Sequence, residues 1–282
     1  MADINLVDAN LKNYYDTAEI SIQVSLSGFS FFINSSEDHR IHAFRHYGFP
    51  KILLQEDMLN QIDDILYKDE LLRLSFQKVR VIYTSRKSTL VPEEFFKTNH
   101  LKQILEFNQP IDDLDEIHFN PVPACQSQLV FAIPTYFAGL IIDKFSSVQF
   151  YNHATPLLIN TLSGTSGSQP EKVIVQLSKE FFDIIVIKEG KLKLYNTFLY
   201  AGNTDLIYFI LYACKQLNID PKKKPFLFTG EVTPGDPLIS EMKPYIPALR
   251  FFDKPDPIKE NPVLQKLDYN RFYSLLHVLM CE

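Results

Sequence analysis

Ile20-Ser21-Ile22-Gln23-Val24-Ser25-Leu26-Ser27-Gly28-Phe29-Ser30-Phe31-Phe32-Ile33 opens the stretch whose reading decides the fold of this chain. Apolar and small polar residues alternate from Ile20 to Leu26, the period of a strand with one buried face. Ser27 and Gly28 turn the chain, Phe29, Phe31 and Ile33 carry a second strand, Asn34 to His39 forms a polar loop, and Ile41 to Tyr47 carries a third. The same trio recurs as Val173 to Leu177, Phe182 to Ile187 and Lys191 to Tyr200, with Glu189 and Gly190 as the turn between the last two. Each trio leads into an amphipathic helix. Leu54, Met58, Ile62 and Ile65 or Leu66 line the first, and Leu206, Ile210, Ala213 or Cys214, and Leu217 line the second. A meander feeding helices and further buried strands, written twice, predicts a duplicated α/β protein with two lobes around a cleft.

Further segments fill in the plan. Val79, Val81 and Tyr83 read as a strand, and Pro92 with Glu93 and Glu94 reads as a helix start, because proline fits the first helical turn and acids suit its positive end. The unbroken run Leu129 to Ile133, ended by Pro134, predicts a central strand covered on both faces by helices. Tyr136 to Ile142 reads as helix, Val148 to Tyr151 as strand and Pro156 to Leu162 as helix. Ser163 to Pro170 is small and polar, the composition of a connector. It places one lobe at residues 1–165 and the other at 166–282. In the second lobe follow a strand at Phe226 to Phe228, a Pro-rich loop from Thr233 to Pro247, a strand at Ala248 to Phe252 and a last helix with Phe272, Leu275, Leu276 and Leu279.

Composition bounds the function. The chain has 282 residues, 46% hydrophobic and 22% charged, long enough for buried cores in both halves. Its formal net charge of −6 offers no basic field for a nucleic-acid backbone, so no nucleic-acid partner is expected. Cys125, Cys214 and Cys281 are odd in number and lack metal-type spacing, as reduced cytoplasmic thiols would be. Met1 to Asp16 contains Asp3, Asp8 and Asp16 and no continuous apolar run, which reads as neither a signal peptide nor a membrane anchor.

The strand trios, the following helix and the strand ending in Phe228-Thr229-Gly230-Glu231 resemble the duplicated ribonuclease-H-like fold of the superfamily of actin, sugar kinases and heat-shock chaperone ATPases. Two local runs resemble a narrower group, an uncharacterised bacterial family (domain of unknown function 3822) assigned an actin-like ATPase fold. They are Thr89-Leu90-Val91-Pro92-Glu93-Glu94-Phe95, and Tyr195-Asn196-Thr197-Phe198 followed by Asp205-Leu206-Ile207-Tyr208-Phe209. The resemblance covers nearly the whole chain and implies an ATP site whose two phosphate loops each carry an aspartate and a glycine. The corresponding stretches here are Ser25-Leu26-Ser27-Gly28 and Gln176-Leu177-Ser178-Lys179-Glu180, neither with that aspartate. The paired glycines of the adenosine motif are reduced to Gly230 beside Glu231. Mg²⁺ needs one or two carboxylates to be held with phosphates, so ATP turnover is not expected. The resemblance leaves Ser27, Gly28, Ser178, Lys179, Gly230 and Glu231 as cleft candidates, with no catalytic residue, metal ligand or cofactor assigned.

Other clusters read as structural. His42 and His46 lie about 13 Å apart along a strand, too far to share a metal, and with His39 they read as exposed or capping residues. Gly164 to Gly167 lacks the Gly-Lys-Ser/Thr of a phosphate loop. Cys125 has no evident base, and Lys222 to Lys224 and the acids Asp112, Asp113, Asp115 and Glu116 read as solvated. Three functions follow from these residues. The first is a non-catalytic actin-like protein that binds a protein partner; the others are a nucleotide sensor using Lys179 and backbone amides, and an enzyme with an unrecognised site.

Overall fold

The two trios of alternating strands become the cores of two mixed sheets with a common plan. The computed structural model of the chain describes residues 2–49, 55–163 and 171–281. Leu54, most of the expected connector and the lobe boundary within it lie outside those residues. In chain order come β1 (Ile4–Val7), β2 (Ala18–Ser25), β3 (Gly28–Ser35), β4 (Ile41–Gly48), α1 (Gln55–Lys68) and β5 (Lys78–Tyr83). A smaller group follows: β6 (Ser88–Pro92), α2 (Leu101–Asn108), β7 (Asp115–Val122) and β8 (Ser127–Pro134). Next are α3 (Thr135–Lys144), β9 (Val148–Asn152) and α4 (Ala154–Leu162). The rest comprises β10 (Lys172–Leu177), β11 (Phe181–Lys188), β12 (Lys191–Leu199), α5 (Asn203–Gln216), β13 (Phe226–Gly230), α6 (Pro237–Met242), β14 (Leu249–Phe251), α7 (Asp256–Lys259) and α8 (Tyr273–His277).

The first sheet is ordered β1-β4-β3-β2-β5-β9 and the second β12-β11-β10-β13-β14. In each, the trio pairs antiparallel, and its first strand also pairs parallel with the strand that follows the helix. That parallel pairing demands a crossover, which α1 and α5 supply. The β11–β12 turn has Glu189 at φ 55° and Gly190 at φ 70°, the left-handed pair whose twist matches a two-residue hairpin.

Alternation sorts the side chains into layers. Ile20, Ile22 and Val24 point outward against Met58, Ile62 and Leu66 of α1 and Phe137 and Ile141 of α3. Val173, Val175 and Leu177 do the same against Leu206 and Ile210 of α5 and Met242 of α6. The inner faces meet through α4 and the C-terminal segment, where Phe32, Phe44, Ile82, Ile174, Ile185 and Ile187 enclose Leu157, Leu158, Phe272 and Leu275. Each such side chain contributes about 1.5–3 kcal/mol on burial, so this central layer binds the two sheets face to face. The polar face of β2 was expected in solvent. It is buried instead, with Ser21 0% and Ser25 9% exposed.

Three expectations are corrected. The run Leu129 to Ile133 is indeed covered on both faces, yet it lies in β8 of a separate three-stranded sheet, ordered β6-β8-β7. Leu129, Phe131 and Ile133 face the main body, while Val130 and Ala132 face α2. Pro92 ends β6 rather than starting a helix, and a single 3₁₀ turn, Glu93–Phe95, follows it. The Thr233 to Pro247 loop contains α6, begun by Pro237. Among the described residues, no helix is long and apolar enough to cross a membrane.

Because Phe131 is fully buried where the small sheet meets the main body, Phe131→Ala should destabilise the fold by about 3–5 kcal/mol in urea unfolding. Phe107→Ser, at a site 91% exposed, should change it by less than about 0.5 kcal/mol.

Candidate functional site

Beyond the apolar outer faces, β2 and β10 carry matching polar residues on their inner faces. Ser25 pairs with Gly28 across the two-residue turn Leu26-Ser27, and Ser178 donates its backbone N–H to Phe181 O at 2.9 Å across the turn Lys179-Glu180. This registers Ile22-Gln23-Val24-Ser25 on Val175-Gln176-Leu177-Ser178. Gln23 is therefore the counterpart of Gln176, and Ser25 of Ser178. The glycines beside these strands answer to packing. A Cβ on Gly28 would lie 2.4 Å from Tyr47 O, and one on Gly230, at φ +88°, would lie 2.1 Å from Leu177 O.

The strand ends enclose a polar cavity of about 30 Å³, lined in part by Gln23, Ser25, Ser27, His153, Gln176 and Glu231. Such a volume holds about one or two water molecules, against roughly 300 Å³ or more for a small-molecule site. Of the sequence candidates, Ser27, Ser178, Gly230 and Glu231 line this cavity. Gly28 sits behind it against β4, and Lys179 reaches across to Leu26 O at 3.4 Å.

Polar contacts join the walls. Ser27 Oγ donates to Glu231 Oε1 at 2.5 Å, so in the 2.7 Å contact between Ser25 Oγ and Ser27 Oγ it is Ser25 that donates. Burial raises the Glu231 pKa above its ordinary value, opposed by the Ser27 hydrogen bond and by Arg271 and Lys179. Arg271 Nη2 lies 3.0 Å from His46 Nε2. Arginine can only donate, so Nε2 is the bare nitrogen and Nδ1–H donates to Ser30 Oγ at 2.8 Å. Burial, then Arg271, lowers the His46 pKa to about 4. Deeper in, Gln176 Nε2 donates to Ser274 Oγ at 2.6 Å, and Ser274 Oγ donates to His153 O at 2.7 Å. His153 Nε2 meets Asp183 Oδ2 at 2.6 Å, both side chains buried, and Thr197 Oγ1 donates to Asp183 Oδ1 at 2.5 Å. Ser88 Oγ and Tyr195 OH, 3.0 Å apart, add a link from β6 to β12.

These groups can hold small hydrogen-bonding guests and tie the sheets together. The residues aimed inward at equivalent positions are amides and hydroxyls, without the carboxylates that usually hold Mg²⁺ with phosphates. Glu231, the carboxylate among the lining residues, is engaged by Ser27. Among the described residues, no three His, Cys, Asp or Glu side chains converge as a metal site. A sequence profile for the family described as protein of unknown function DUF3822 matches residues 10–249.

The chain belongs to the DUF3822 family.

Solved structures show the fold. A Bacteroides thetaiotaomicron protein with actin-like ATPase fold and unknown function is similar at TM-score 0.80 and 21% identity, over 97% of this chain and 99% of that one. The PilM–PilN type IV pilus biogenesis complex contains a chain similar at TM-score 0.61 and 10% identity, over 94% and 98%. A search of curated proteins finds no match. This DUF3822 member thus has the two-lobed actin-like ATPase fold.

Several residues of the DUF3822 cleft had escaped the sequence. Gln23 was detectable as half of the repeated apolar-Gln-apolar-Ser pattern. His153, Asp183, Arg271 and Ser274 carry no local signal, because the side chains and carbonyl they meet lie 14 to 225 positions away. His42 and His46 are buried rather than exposed: His42 stacks on Tyr14 with ring centroids 3.9 Å apart, and His46 lines the cavity. His39 is the exposed one, at φ 55°. The acids at 112–116 are only partly solvated, since Lys87 Nζ lies 2.5 Å from both Asp112 and Asp115, and Asp115 is 3% exposed. Burial raises the Cys125 thiol pKa, which suits an unreactive side chain.

Linkage gives two signs. His46 is harder to protonate folded than unfolded, so its contribution to stability is whole above pH 6.5 and lost as pH falls toward 4. Glu231 is the reverse: its raised pKa favours folding at low pH, and that contribution disappears as pH rises through the folded value. Glu231→Gln keeps an acceptor for Ser27 without the buried charge. Thermal unfolding should show this variant more stable than wild type at pH 7, with the gap shrinking toward pH 4; a less stable variant at pH 7 would contradict the assignment.

Proposed function

We propose that this DUF3822 member is a non-catalytic actin-fold protein that acts by binding another protein, its cleft serving as a rigid joint. The observation that carries this reading is the cleft itself: about 30 Å³ of space, bridged by Ser27 and Glu231. A triphosphate enters such a site only if the lobes part and the Ser27–Glu231, Lys179–Leu26 and Arg271–His46 contacts all break. A protein of the same fold stands in a complex with a partner protein, PilM with PilN, which supports the use of this architecture for protein binding. Exposed aromatics on the outer faces, among them Phe95, Phe107, Tyr208 and Tyr212, offer contact area of the kind interfaces favour. In the same proposal the lobes are residues 1–165 and 166–282, related by duplication, and the protein is cytoplasmic.

The test combines ligand and partner. A ligand at one hundred times its dissociation constant adds about 2.7 kcal/mol of stability, so a nucleotide binder would melt several degrees higher. Mg·ATP and Mg·ADP should leave the melting temperature unchanged, and a rise would favour the nucleotide-sensor reading. A tagged chain isolated from its native cells should retain a stoichiometric protein partner, and Ser27→Ala should retain it equally. Loss of the partner in Ser27→Ala would place the interaction in the cleft rather than on the outer faces.

A further inference from the structure

Four buried polar atoms around the cleft cavity have no hydrogen-bond partner among the described residues: Gln23 Oε1, Thr84 Oγ1, Gln176 Oε1 and His153 Nδ1. All four residues line the same cavity. The orientations of two of them are fixed by their neighbours. Ser274 commits its proton to His153 O and must accept from Gln176 Nε2, which leaves the Gln176 carbonyl oxygen facing the space. Asp183 accepts from Thr197 on one oxygen and meets His153 Nε2 with the other, so the ring turns its second nitrogen, Nδ1, to the space. With the Gln23 oxygen and the Thr84 hydroxyl, that makes two amide acceptors, one ring nitrogen and one hydroxyl around the space.

We infer that the cavity is a binding site for about two ordered water molecules, which donate to Gln23 and Gln176, reach Thr84 and His153, and bridge the two lobes. Volume and chemistry agree. Four unpartnered groups spread around about 30 Å³ of space suit a pair of waters. The surrounding charges favour a neutral guest: Glu231 faces Arg271 and Lys179, Asp183 is paired with His153, and His46 accepts from Arg271 as a neutral ring. Buried polar groups of native proteins are satisfied by protein or by water of this kind. The pair connects Gln23 and Thr84 of the first sheet's side to Gln176 of the second and His153 at the head of α4. Ser27 and Glu231 close the space beside it, so the waters should exchange slowly. The inference stands whatever the protein binds on its outer faces.

Magnetic relaxation dispersion of water ¹⁷O counts long-lived internal waters in solution. Gln23→Met with Gln176→Met should lower the count by about two relative to wild type, and Ser27→Ala should keep the count but shorten the residence time. Should the double variant fail to fold, Thr84→Val removes one partner and should shorten the residence time alone. An unchanged dispersion in the double or Thr84 variants would overturn the inference. So would a rubidium soak of crystals that places an anomalous peak among the four atoms, since the occupant would then be a monovalent cation.

Discussion

Burying the polar faces of β2 and β10 against the opposite lobe imposes the constraint from which the cleft follows. A strand with one apolar face normally leaves its other face to water. Here both faces are covered, so Ser21, Gln23, Ser25, Gln176 and Ser178 need partners inside the protein. An unmet buried donor or acceptor costs about 1–3 kcal/mol, against a total stability of roughly 5–15 kcal/mol. The cross-lobe contacts of Ser27 with Glu231 and His46 with Arg271, and the bond of Gln176 to Ser274 within the second lobe, meet part of that need. The cross-lobe contacts also make separation of the lobes expensive, because each contact broken exposes or orphans its partner.

The same constraint explains why the fold persists with a cleft so small. In the central layer α4 and α8 pack between the inner faces of the sheets, with Leu157, Leu158, Leu275 and Leu276 in one continuous cluster with residues from both. Apolar burial fixes the distance between the lobes, and the polar rim fixes their register. Glu231 shows how the balance is struck. Its burial works against its charge, yet it caps Ser27 and faces Arg271 and Lys179, so a carboxylate of the protein's own holds the loops together.

Much of this was legible in the sequence where the signal is local. Alternation from Ile20 to Leu26 and from Val173 to Leu177 identified the first strands, and Glu189-Gly190 identified its turn, because period and turn chemistry are carried by neighbouring residues. The Leu129 to Ile133 run was legible as doubly covered but not as belonging to the small sheet, since an apolar run reports burial and not pairing partner. Pro92 misled because proline suits a strand end as well as a helix start. At the cleft, the resemblance to the actin-like superfamily led to Ser27, Ser178, Gly230 and Glu231. The pairs His153 with Asp183 and His46 with Arg271 were invisible, because only the folded chain brings them together.

The central claim is that the lobes form one closed body that does not open for nucleotide. It is tested most directly by electron–electron double resonance between spin labels at Tyr67→Cys on α1 and Tyr208→Cys on α5, two exposed positions on opposite lobes. Cys125 and Cys281 would be replaced by serine, and buried Cys214 left in place. The account predicts one narrow distance distribution, identical with and without Mg·ATP. A broad distribution, or one that shifts when Mg·ATP is added, would contradict it.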